Sequence, residues 1–194
     1  MTIPALLLTG GASRRMGRDK ALIDIDGEPL AVRTARVLAE VCEPVLEVGP
    51  GRTALRFVTE EPPGGGPLAA LVAGSAALPD DGPILVVACD VPRLDAAVLR
   101  FLAEHPGAST VVPEVDGRLQ VLCARYGPAA RAAAPQVLAD GGRSMVALLE
   151  RTAYEVLDEA AWSAVVDAEV FGDLDTPEDL DRYLGASRDL GVGR

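Results

Sequence analysis

The sequence predicts a three-layer α/β/α sandwich on a mostly parallel, mixed sheet. Residues 83–89 are a continuously apolar run rich in β-branched side chains, the pattern of a strand buried on both faces. Such runs alternate along the chain with segments of helical period, which is how helices come to cover both faces of a parallel sheet. The first apolar run, residues 3–9, stops at Gly10-Gly11, so its carboxyl end opens into a glycine turn at the sheet edge.

The elements follow in order. After the first strand, residues 29–41 place Leu30, Val32, Ala35, Val37, Leu38 and Val41 on a helical stripe opened by Pro29. Residues 44–48 and 55–59 read as two further strands. The glycine loop 64–66 and Pro67 lead into a helix of small residues over 68–78. The strand at 83–89 precedes a helix over 96–103, and strands at 109–113 and 119–124 flank an Asp116-Gly117 turn. That hairpin adds antiparallel pairing and makes the sheet mixed. Helices are expected over 128–138 and 144–151, and a last one over 176–184, with Thr176 placed before Pro177 as its cap. Residues 1–185 form one domain, with halves at 1–104 and 105–185. Residues 186–194 follow as a tail, with fraying expected from Gly185 onward.

Composition narrows the chemistry. The 194 residues are 49% hydrophobic and 24% charged, a globular balance, and a chain of this size buries a core without disulfide or metal staples. No apolar run approaches a membrane span, and the start carries no basic segment of a secretory signal. Cys42, Cys89 and Cys123 form no CxxC pair, which reads against a disulfide scaffold or cysteine zinc site and suits a reducing cytoplasm. One histidine, His105, excludes HExxH metalloproteases and any two-histidine acid–base scheme. The net charge of −11 argues against an extended nucleic-acid surface. The chemistry left to this chain rests on carboxylates, backbone amides, arginines and one lysine.

That lysine is Lys20, alone among 18 cationic residues. In so arginine-biased a chain it marks a position that wants a compact ammonium, or else a surface lysine that survived by chance. Its neighbours decide. Arg14, Arg15, Arg18 and Lys20 stand against Asp19, directly after Gly10-Gly11. Glycines let backbone amides approach a phosphate, and Ser13 adds a hydroxyl donor. Screening acts over about 8 Å at physiological salt, so the acidic remainder of the surface cannot cancel this patch. A polyanionic ligand is the natural reading, against a loop whose arginines are merely solvated. The loop is neither a Walker A sequence, because Gly17 is followed by Arg18-Asp19-Lys20, nor a GxGxxG fingerprint.

The block from Leu8 to Leu22, Leu8-Thr9-Gly10-Gly11-Ala12-Ser13-Arg14-Arg15-Met16-Gly17-Arg18-Asp19-Lys20-Ala21-Leu22, resembles the signature L-x-GG-x-S-x-RMG-x-DK-x-L of molybdenum cofactor guanylyltransferases of the MobA type. These are nucleotidyltransferases with a Rossmann-like, GT-A-like fold, and the resemblance extends over most of the chain. It implies Mg²⁺-dependent transfer of GMP from GTP to molybdopterin. Leu8, Thr9, Gly10 and Gly11 would hold the base and ribose side, with Ser13 and Gly66 also at the nucleotide. Arg14 and Lys20 would bind the triphosphate. GTP and molybdopterin are the implied partners, with a molybdoenzyme or its chaperone beyond them, and no nucleic acid or membrane.

Three carboxylate positions complete the expectation. Asp90 ends the strongest strand and reads as a Mg²⁺ ligand held by Pro92, or as a turn or helix-capping aspartate; Asp95 is the better cap for the helix at Ala96. By resemblance Asp90 is the Asp-x-Pro metal residue. Asp173 and Asp175 fall on one side of an extended segment, or else serve helix capping together with Asp179. The family has asparagines there, and aspartates occur in related cytidylyltransferases. Asp175 is thus a second metal candidate, and CTP stays open as the nucleotide. Glu60 matches an acidic position that contacts guanine or its ribose, and a carboxylate can accept from guanine N1–H and N2–H together. Where relatives use asparagine after the second strand, Val48 offers only its backbone. Gln120 and Arg143, with Asp173, match weaker acceptor-binding positions; a strand-surface polar residue and a helix start are the plain alternatives for the first two. His105, Trp162 and the cysteines read as structural. A related transferase that activates another phosphorylated small molecule is one alternative; a nucleotide-binding regulatory domain without turnover is the other, and retention of Asp90 and Lys20 speaks against the latter.

Overall fold

The computed structural model describes residues 2–10, 16–78 and 81–191, with no side chains described beyond residue 185. Its first strand, β1 (Ile3–Leu8), is fully buried. A 3₁₀ turn over Lys20–Leu22 leads to a small hairpin, β2 (Asp24–Ile25) and β3 (Glu28–Pro29). Asp26 and Gly27 turn it in the left-handed region, and Asp24 Oδ1 accepts from Gly27 N. Next come α1 (Leu30–Ala39), β4 (Cys42–Val48), β5 (Phe57–Val58), α2 (Pro67–Ala77), β6 (Ile84–Ala88) and α3 (Ala96–Glu104). The second half adds β7 (Thr110–Val115), β8 (Arg118–Leu119), β9 (Cys123–Tyr126), α4 (Pro128–Ala139), α5 (Met145–Leu149) and β10 (Tyr154–Leu157). It ends with α6 (Glu159–Trp162), a 3₁₀ turn over Ala168–Phe171, and α7 (Pro177–Gly191).

The main sheet runs β10-β7-β9-β6-β1-β4-β5, with β8 on β7. Pairs β1–β4, β1–β6, β4–β5 and β7–β10 are parallel, whereas β9 runs antiparallel to both β6 and β7. Strand alternation divides the core into two layers. Ala5, Leu7, Leu85 and Val87 face the layer under α1 and α3; Leu6, Leu8, Ile84 and Val86 face the one under α2, α4 and α5. The expected mixed α/β/α sandwich is what the chain forms. A third cluster, Met16, Ile23, Ile25, Leu30, Leu174 and Leu180, fastens α7 to the segment that follows the glycine turn.

Several boundaries differ from the sequence reading. The strand expected over 119–124 is divided: β8 ends at Leu119, and Cys123 N donates to Gln120 O in a turn before β9. β5 is shorter than 55–59, because Thr53 and Leu55 belong to a loop organised around Glu47. β10 was not expected, since its Tyr-Glu-Val-Leu is exposed at three of four positions and lies at the sheet edge. The helix expected to end near Leu184 continues through Gly185 to Gly191, because Ala186, Arg188 and Leu190 are good helix formers and an existing helix is cheaply extended. The helix at 144–151 shortens to α5, capped by Ser144 Oγ on Ala147 N. The Asp116-Gly117 turn forms as expected, with both residues at positive φ.

Candidate active site

The parallel register sets Leu8 beside Val48 on one flank and beside Ala88 on the other. Three strands therefore end together, and a cleft of 510 Å³ opens at that carboxyl edge, within the usual range for a small-molecule site. Thr9 and Gly10 continue β1 into its floor. Thr9 N donates to Val48 O, and Cys89 N donates to Leu8 O, so the end of β1 is tied to the strands on both sides. Gly49 lets the chain cross here: at its φ of 152°, a Cβ would lie 2.2 Å from Thr9 Oγ1.

One end of the cleft is lined by Glu60, Gly64, Gly66 and Pro67. Glu60 accepts from Gly64 N at 3.1 Å and lies against Gly10, whose hypothetical Cβ would sit 3.6 Å from its Oε1. A carboxylate there leaves acceptor capacity facing the cleft. Gly66, at φ 88°, caps α2, and a Cβ would lie 2.8 Å from Arg143 O.

At the other end stand Lys20, Asp90 and Asp175. Lys20 Nζ donates to Asp90 Oδ2 at 3.2 Å and, more closely, to Asp175 Oδ1. Its side chain is only 14% exposed, so the pairing is shielded from water. Burial works against the ammonium, but the bonds and charges of Asp175 and Asp90 outweigh it and hold its pKa above the ordinary lysine value. Asp90 follows β6 and is not a helix cap; that task falls to Asp95, whose Oδ1 accepts from Ala97 N at 2.6 Å. Asp175 is placed by a capping box in which Asp179 Oδ2 accepts from Thr176 N and Oγ1 while Thr176 Oγ1 accepts from Asp179 N. Leu174 N donates to Asp90 O at 2.9 Å and so joins this segment to β6.

Of the residues singled out from the sequence, Leu8, Thr9, Gly10, Lys20, Glu60, Gly66, Asp90 and Asp175 line this one cleft. Gly11, Ser13 and Arg14 lie outside the described residues. Asp173 does not line the cleft, yet it belongs to the same electrostatic group. Partial desolvation of its carboxyl, then the charges of Asp175 and Asp90, push its pKa above the ordinary aspartate value. Gln120 lies off the cleft, its amide donating to Arg118 O. Arg143 does not line the cleft; its carbonyl accepts from Leu68 N at the start of α2, and its Nη1 lies beside Gly65. Asp19 and Leu122 line the cleft and were not singled out. Asp19 stood in plain view beside Lys20, whereas nothing local distinguishes Leu122.

His105 lies away from the cleft, its ring at Glu155 and its carbonyl accepting from Arg125. Trp162 is buried edge-to-face on Phe171 and donates to Glu114 O. The three cysteines are buried free thiols, and burial pushes each up to about 12. Among the described residues, no helix is long and apolar enough to cross a membrane.

The donor set bears on a divalent cation. Among the described residues, no three His, Cys, Asp or Glu side chains form a metal cage. Mg²⁺ needs none, since it is commonly held by one or two carboxylates together with substrate phosphates and water. Asp90 and Asp175 both reach a single cation, the Lys20 ammonium, and so fit that role.

Comparison with known proteins bears on the family and the fold. Residues 5–156 match the family model described as the MobA-like NTP transferase domain. A protein of Synechococcus elongatus named "Probable molybdenum cofactor guanylyltransferase" is 45% identical over 112 residues, a match spanning 52% of this chain and 56% of that protein. A protein of the same name from Pelotomaculum thermopropionicum is 32% identical over 198 residues, 97% of this chain and 95% of that one. The crystal structure of molybdopterin-guanine dinucleotide biosynthesis protein A from Archaeoglobus fulgidus shares the fold, with a TM-score of 0.79 at 23% identity over 93% of this chain and 96% of that one. So does 2-C-methyl-D-erythritol 4-phosphate cytidylyltransferase from Thermus thermophilus, at 0.68 and 15% identity, over 94% and 98% of the two chains. With the family model covering most of its length, the chain belongs to the MobA-like NTP transferases.

Proposed function

We propose that this protein transfers GMP from GTP to the terminal phosphate of molybdenum-bearing molybdopterin, forming molybdopterin guanine dinucleotide and pyrophosphate. The observation that carries the reading is the two-ended cleft: an acceptor carboxylate, Glu60, over the Gly10 floor at one end, and Lys20 between Asp90 and Asp175 at the other. The guanine would lie at Glu60, and residues 1–104 would supply most of the nucleotide site. Residues 105–185 would supply the acceptor side, where Gln120, Arg143 and Asp173 are the candidates.

The attacking group is a phosphate oxygen, already an anion, so no protein base is needed. Its oxygen forms the new bond to the α-phosphorus as the bond to the bridging oxygen of the β-phosphate breaks, and that oxygen leaves with pyrophosphate. Catalysis rests on positioning and charge neutralisation. Lys20, and Arg14 by resemblance, neutralise the triphosphate. Asp90 and Asp175 would hold Mg²⁺, which when bound supplies Lewis-acid polarisation of the phosphoryl oxygens.

A CTP-using transferase is the second reading. The observation favouring it is the pair Asp173 and Asp175 where guanylyl-transferring relatives are expected to carry asparagine. Calorimetric titration with GTP and CTP, each with and without Mg²⁺, separates the two. GTP binding well above CTP, followed by pyrophosphate release on adding molybdopterin, is the expected result. A CTP preference, or nucleotide binding with no pyrophosphate release, would overturn guanylyl transfer.

A further inference from the structure

Lys20 has a long, flexible stem, and such a side chain loses much rotamer freedom when held in one place. The backbone beneath it must therefore be fixed. The residue that fixes it is Asp19, whose two carboxylate oxygens have separate tasks. Oδ1 accepts from Ala21 N at 3.0 Å and caps the 3₁₀ turn on which Lys20 stands. Oδ2 is paired with Arg52 Nη2 at 2.7 Å, reaching across from the loop between β4 and β5.

Arg52 is itself anchored. Glu47, wholly buried in β4, accepts from Arg52 N at 2.6 Å and from both Thr53 N and Thr53 Oγ1. The same carboxylate accepts from Thr9 Oγ1 at 2.6 Å. One buried group thus sets the cleft floor and the root of the arginine that grips Asp19. Arg52 does not line the cleft, whereas Asp19 and Lys20 do.

We infer that Arg52 is a positioning residue that acts through Asp19 to hold the Lys20 ammonium at the phosphate end of the cleft. The inference rests on Lys20 being a phosphate-binding group, as in the proposed function, but not on which nucleotide or acceptor is used.

The test is a set of variants titrated calorimetrically with inorganic tripolyphosphate, which needs neither base nor acceptor. Wild type, Arg52→Met, Arg52→Lys, Lys20→Ala and the double variant Arg52→Met/Lys20→Ala are compared, with melting temperatures in parallel. Arg52→Met is expected to weaken binding about tenfold, the scale of a displaced charged group, and Arg52→Lys to recover part of that loss. In the Lys20→Ala background, Arg52→Met should cause no further loss, because there is no longer an ammonium to position. The same tenfold loss in both backgrounds would overturn the inference, since Arg52 would then act on the anion or the fold independently of Lys20. An unchanged affinity in Arg52→Met would overturn it too, as would no binding by the wild type. Asp19→Asn keeps the cap acceptor but loses the ion pair, and should match Arg52→Met even if the latter proves poorly folded. Pyrophosphate release from GTP by the wild type is measured separately. Its failure would remove guanylyl transfer while leaving the tripolyphosphate comparison standing.

Discussion

Leu174 N donates to the Asp90 carbonyl at 2.9 Å, and through this bond two distant carboxylates become neighbours. Asp90 ends β6, and Asp175 follows Leu174, whose side chain is buried against Met16, Ile23 and Ile25. The backbone bond sets the separation of the two segments, and the buried leucine sets which way Asp175 faces. Lys20 then lies between the carboxylates.

Removal of that ammonium should be costly to the reaction. One charge about 5 Å from a phosphate, at an effective dielectric near 20, is worth roughly 3 kcal/mol. Lys20→Ala is therefore expected to lower pyrophosphate release by on the order of 10²-fold or more. Near-normal kinetics in that variant would remove Lys20 from the phosphate site.

Asp90 and Asp175 should reveal themselves through the metal requirement. Asp90→Asn and Asp175→Asn are each expected to raise the Mg²⁺ concentration needed for half-maximal turnover by about tenfold or more, because an amide oxygen still coordinates but without charge. A magnesium titration of initial rates checks both. Unaltered curves for the two variants would argue against their being ligands.

Base choice should depend on Glu60. A carboxylate accepting from two guanine donors discriminates strongly against a base that lacks them, and Gln offers one acceptor in place of two. Glu60→Gln should weaken GTP binding by about 10- to 100-fold while changing CTP binding little. Equal losses for both nucleotides would place Glu60 at the ribose or in the loop instead.

Glu47 supplies a pH dependence whose sign is fixed by its surroundings. Burial alone would raise its pKa, but hydrogen bonds from Thr9, Arg52 and Thr53 outweigh it and hold the carboxyl below its ordinary value of 4.5. A depressed folded-state value stabilises the fold fully above the unfolded value, and the gain disappears as pH falls through the folded one. Glu47→Gln should thus cost about 2 kcal/mol near pH 7, with the gap to wild type narrowing on acidification below about pH 4.5. Thermal melts of both proteins across pH 3–7 would show it; a gap that is constant with pH would mean the charge contributes nothing.

What could be read in the sequence was whatever is local. The buried strands β1 and β6 are continuous apolar runs, and α1 and α3 carry one-sided stripes, so each declares itself within a few residues. The glycine turn and Lys20 were equally visible, as was Asp90 at the end of β6. β10 escaped because an edge strand with three exposed residues has little apolar pattern to show. The bend between β8 and β9 escaped because an apolar Leu119-Gln120-Val121-Leu122 reads as one strand when its turn is made by backbone bonds alone. The Thr9–Glu47 bond and the Arg52–Asp19 pair depend on loops meeting across the sheet edge, for which no spacing in the chain is diagnostic.

The third apolar cluster ties the chemistry of the cleft to packing some distance from it. Leu174 and Leu180 join Met16, Ile23, Ile25 and Leu30 there, and Asp175 comes into reach of Lys20 beside Leu174. Packing lost at this cluster would therefore loosen the carboxylate pair around the ammonium while leaving Asp90 on β6 in place.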